Sequence, residues 1–63
     1  MTPEEAVEMV GGWPEDRTVP KRLAAAVESA RGEARQQIES LVEALMVAST
    51  TEADFNLIFK YFG

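Results

Sequence analysis

No cysteine and no histidine occur among the 63 residues. Disulfides, thiol redox chemistry and Cys–His or Ser–His nucleophiles are thereby excluded, and zinc loses the side chains it prefers. Basic residues are scarce, with six Lys and Arg against eleven Asp and Glu. The formal net charge is −5 and the pI about 4.5. That balance disfavours non-specific binding to nucleic acid or to an anionic membrane, since both need local cationic charge. No apolar run approaches the roughly 18 residues of a membrane span, and no segment has the charged start and apolar run of a signal peptide. The expectation is a soluble cytoplasmic protein with no membrane partner. Residues 1–63 make one small domain. A chain this short buries only about 60% of its unfolded surface. Helix packing and self-association are the remaining ways to stabilise it.

What is present is helical periodicity, above all from Val19 to Ala48. Leu23, Val27, Ala30, Ala34, Ile38, Leu41, Leu45 and Ala48 follow one another at steps of three and four. That spacing forms one apolar stripe on an α-helix. The stripe keeps its phase across Gly32, and no Ser, Thr, Asp or Asn follows that glycine to cap a new helix. The spacing therefore predicts one central helix over 19–48, about 45 Å long. The alternative is a hairpin turning at Gly32, which gives four short helices in two hairpins.

On either side stand shorter elements. Thr2, Pro3 and Glu5 form a capping box with proline at the first helical position, and Gly11-Gly12 stops that helix after Val10. Trp13-Pro14-Glu15-Asp16 follows as a loop. Its single Trp is a candidate interaction residue, and also a candidate lid over the end of the core. Asp16 or Thr18 caps the next helix, with Pro20 in its first turn. Asp16-Arg17-Thr18-Val19-Pro20, followed by Ala24, Ala25 and Ala30, resembles a segment of a small archaeal family of uncharacterised all-helical proteins. The resemblance covers residues 7–31. It implies a helix, a turn and an alanine-rich helix in succession, and implies no chemistry. That family repeats a proline-containing turn later, where this chain has Ser49 to Asp54 without proline.

Ser49 with Glu52, or Thr51 with Asp54, signals the start of a last helix over Ala53–Phe62. All three Phe and the only Tyr lie in it. Its apolar arc is too wide for one contact. The spacing predicts Phe55, Ile58, Phe59 and Phe62 as the seam against the core. Leu57 and Tyr61 then face a second chain or a partner, as interaction residues beside Trp13.

Catalytic constellations are absent from this pattern. Ser–Lys chemistry would need Ser29, Ser40 or Ser49 beside a lysine, and nothing in the spacing brings them together. The carboxylate pairs Glu4/Glu8 and Glu39/Glu43 read as solvated helix faces. We expect no enzyme, no cofactor and no metal site. Arg17, Lys21, Arg22, Arg31 and Arg35 all fall within one stretch, with Lys60 alone elsewhere. Ion pairs Glu28–Arg31 and Arg35–Glu39 account for part of it.

Together these features predict an all-α protein of short, long and short helices, assembled as a homodimer whose long helices cross. The function that fits is a small protein–protein interaction module: an adaptor, inhibitor or regulatory subunit, self-associating or bound to another protein. A second reading, from a different class, is a nucleic-acid-binding dimer that uses Arg17, Lys21, Arg22, Arg31 and Arg35. Overall acidity argues against nucleic acid as the partner.

Overall fold

The start signals at both ends of the chain act as local chemistry predicts. Thr2 Oγ1 accepts from the Glu5 N–H at 3.2 Å, and Glu5 Oε1 accepts from the Thr2 N–H at 3.1 Å. The same reciprocal box forms between Thr51 and Asp54. Ser49 has another use, as the residue that ends the preceding helix. A computed structural model, describing residues 1–63, contains α1 (Pro3–Val10), α2 (Val19–Ser29), α3 (Gly32–Ala48) and α4 (Glu52–Phe62).

The all-α class stands, but the single helix over 19–48 does not. Ala30 and Arg31 are both extended, with φ/ψ of −84/158° and −136/151°, and Gly32 takes φ +59°. Two extended residues cannot continue an α-helix, so the chain reverses here. Gly32 adopts a left-handed backbone that most side chains would resist. Neither flanking helix draws a side-chain cap from the turn; α3 begins at Arg31 with no such bond. The missing capping residue was therefore no sign of continuity. The four-helix alternative fits, and the arrangement of crossed 45 Å helices goes with the long helix. The molecule measures 32 × 21 × 17 Å, too short for such a rod. Its radius of gyration of 10.7 Å matches the value of about 10.6 Å expected for one compact chain of this length.

The predicted stripe is nonetheless the core. Leu23 and Val27 of α2 and Ile38 and Leu45 of α3 are all buried, with Ala30, Leu41 and Ala48 packed beside them. One phase served two helices because a hairpin folds the same stripe onto itself. α1 adds Ala6 and Met9, and α4 adds Ile58. α3 packs against each of the other helices, α2 does the same, and α1 does not touch α4.

The rotation of α4 differs from the expected seam. Ile58 is buried and Phe62 packs against the core, but Phe59 is 50% exposed and Phe55 half-buried. Leu57, expected to face outward, packs on the core. The second inward residue is Asp54, a carboxylate one helical turn before Ile58. It fixes the helix by polar bonds that an apolar pattern does not register.

Candidate functional site

Two regions stand apart from ordinary helix packing. The first is a polar knot where the loop between α1 and α2 meets the junction of α3 and α4. Trp13 is 3% exposed. Its indole N–H donates to the Leu45 carbonyl and to Ser49 Oγ, both at 3.1 Å, while the Ser49 hydroxyl donates to the same carbonyl at 2.7 Å. Leu45 lies four residues before Ser49 in the last turn of α3, where a carbonyl has lost its helical partner. The indole thus satisfies a helix end while filling the end of the core.

Arg17 lies over the outer face of that ring, with its guanidinium 4.7 Å from the centroid. It donates to the Pro14 carbonyl at 3.3 Å and forms an ion pair with Asp54. The other carboxylate oxygen of Asp54 accepts from the Thr50 N–H at 2.9 Å and the Thr51 N–H at 3.2 Å. The Thr50 N–H, then the Arg17 guanidinium and then Thr51 hold the Asp54 carboxyl well below the usual range. These bonds favour the charged form of Asp54 and engage both of its oxygens within the fold. No buried side-chain polar atom lacks a partner.

The second region is a groove between α2 and the end of α4. Lys21, Ala24, Ala25 and Glu28 of α2 form one side, and Lys60, Tyr61 and Phe62 of α4 form the other. Small alanines at the middle of α2 leave the hollow, and the aromatic rings wall it. Lys60 Nζ lies 5.7 Å from the Tyr61 ring centroid. Of the three expected interaction residues, Tyr61 borders this opening, Leu57 packs inward and Trp13 lies inside the fold.

The basic residues divide. Arg17 is engaged by Asp54, and Arg22 pairs with Asp16 at 3.6 Å. Arg31 and Arg35 sit at the opposite end of α2, which is about 16 Å long. Neither Glu28–Arg31 nor Arg35–Glu39 forms; the two ion pairs of the chain are those of Arg17 and Arg22. Glu28 and Arg31 lose their helical neighbourhood at the Ala30 turn. Ser29 and Ser40 give their hydroxyl protons to the carbonyls of Ala26 and Gln37, as Ser49 does to Leu45, and none meets a lysine. No group of three or more acidic side chains is placed to hold a metal ion, and no helix is long and apolar enough to cross a membrane.

Sequence reasoning missed Asp54 and Arg17 as partners because 37 positions separate them. Their one local signal was the Thr51–Asp54 capping box. The chain matches no family model, no curated protein and no solved structure.

Proposed function

We propose that this chain is a small protein–protein interaction module, an adaptor, inhibitor or regulatory subunit, acting through the partly exposed aromatic residues of α4. One observation carries the reading. Not one of the four aromatic side chains of α4 is buried: Phe59 is 50% exposed, and Phe55, Tyr61 and Phe62 are only partly covered. Phenylalanine ranks among the residues most often fully buried. Aromatics left open on one helix are the usual anchors of a protein contact. Covering the exposed half of the Phe59 ring is worth about 1 kcal/mol, which is roughly 5-fold in affinity. Two of the five basic residues that a nucleic-acid contact would use, Arg17 and Arg22, are already paired with carboxylates, and the net charge of −5 opposes phosphate binding.

A photoreactive phenylalanine at position 59, compared with one at the exposed polar position 36, tests this in living cells. The reading expects discrete protein adducts from position 59 that position 36 does not give. The same diffuse pattern from both positions would end it.

A further inference from the structure

We propose that the groove between α2 and α4 seats a second copy of this chain, with the two α2 helices antiparallel across a two-fold axis. The inference rests on reading the chain as an association module and narrows it to one partner. A symmetric pair must present the same patch twice, so that residue i meets j and j meets i. The exposed face of α2 has that property. Lys21 and Glu28 bound it, Ala24 and Ala25 lie between, and the midpoint of the outer pair is also the midpoint of the inner pair. Antiparallel α2 helices centred there place each Lys21 against Glu28 of the other copy and each Ala24 against Ala25 of the other copy.

Three further observations point the same way. Neither Lys21 nor Glu28 has an ion-pair partner within the chain. The alanines let two helix axes approach to the short end of the usual 8–10 Å range. Tyr61 and Phe62 wall the groove and remain only partly covered, so a second α2 would cover apolar surface as well as pair charge. Each copy carries −5 overall, and an interface bearing Lys21 and Lys60 is a place where two acidic chains can meet with least repulsion.

Charge exchange tests the register directly. Lys21→Glu alone and Glu28→Lys alone put like charges opposite each other twice per dimer. Each should weaken self-association measured by sedimentation equilibrium by about 10- to 100-fold. An equimolar mixture of the two variants should form a heterodimer, because both contacts are then Lys against Glu. The double variant K21E/E28K should recover wild-type association. Lys21 and Glu28 are seven residues apart on one helix, about 10 Å, so recovery on mixing cannot arise within one chain. Both positions are exposed, and circular dichroism checks that the helices persist.

The proposal is overturned if the wild-type chain stays monomeric at about 1 mM, or if it associates and the charge variants change nothing. In either case adducts from position 59 would leave the interaction reading standing. Loss of those adducts together with a monomeric chain would remove both.

Discussion

The two short reversals of this fold, Ser49–Thr51 between α3 and α4 and Ala30–Arg31 between α2 and α3, are held by opposite means. Around the first, Trp13 and Ser49 share one set of hydrogen bonds and Arg17, Asp54 and Thr50 another, joined by the Arg17 guanidinium over the Trp13 ring. The second has no long-range side-chain bond; Ala30 and Arg31 are extended and Gly32 takes the left-handed backbone, with only the local Ser29 hydroxyl bond to the Ala26 carbonyl beside them. A reversal in a small helical protein needs either side-chain bonds that define it or backbone freedom with packing on both sides. The first kind resists change at many atoms. The second depends on one residue.

The comparison breaks most sharply at Trp13. Trp13→Ala removes a buried ring and leaves the Ser49 hydroxyl as the sole side-chain donor to the Leu45 carbonyl. Truncating a buried aromatic costs about 3–5 kcal/mol, comparable with the stability of a domain this size. Thermal melts followed by circular dichroism should show either no cooperative transition or one far below wild type.

Asp54→Asn should have the next largest effect, because the amide keeps the shape and loses the charge that Arg17 faces. Its pH dependence provides the sharper readout. The carboxyl is held low by the Thr50 N–H first, then Arg17, then Thr51. A folded-state pKa below the unfolded one means that the unfolded chain binds protons more readily. The stabilisation is therefore fully present above the ordinary carboxylate value of about 4, and is lost progressively as pH falls below it. Glu5 and Asp16 are shifted in the same direction by their own bonds to Thr2 and Thr18. The test is thus the difference between chains: denaturant midpoints of Asp54→Asn should fall less steeply with acid than those of wild type. Parallel curves would mean that Asp54 does not define the first reversal.

At the second reversal the sign of one substitution is decisive. A Cβ on Gly32 meets no atom within 4 Å, so Gly32→Ala acts only through φ. In the observed turn it should destabilise by about 1–2 kcal/mol. In a continuous helix it would stabilise by about 1 kcal/mol. Chemical denaturation distinguishes the two.

Phe59→Ala should be the mildest change, below about 1 kcal/mol, since surface substitutions away from specific contacts rarely exceed ±0.5 kcal/mol and this ring is half exposed. It shares α4 with Asp54 but belongs to neither reversal. A collapse of the fold on this substitution would show that the outer side of α4 is part of the core.

The residues of each segment determined the all-helical class, the capping boxes at Thr2 and Thr51, and the core identity of Leu23, Val27, Ile38 and Leu45. Such features depend on neighbours within about one helical turn, so periodicity and cap chemistry report them. Periodicity names the face that turns inward, not whether the chain bends between two such faces. That is why 19–48 read as one helix. The break at Ala30–Arg31 was decided by closure of the domain, which brings α2 and α3 together, with Gly32 permitting the turn. The rotation of α4 was decided by Asp54 meeting an arginine 37 positions away. Its wide apolar arc fits several orientations about equally well, and one long-range ion pair with its hydrogen bonds chose among them.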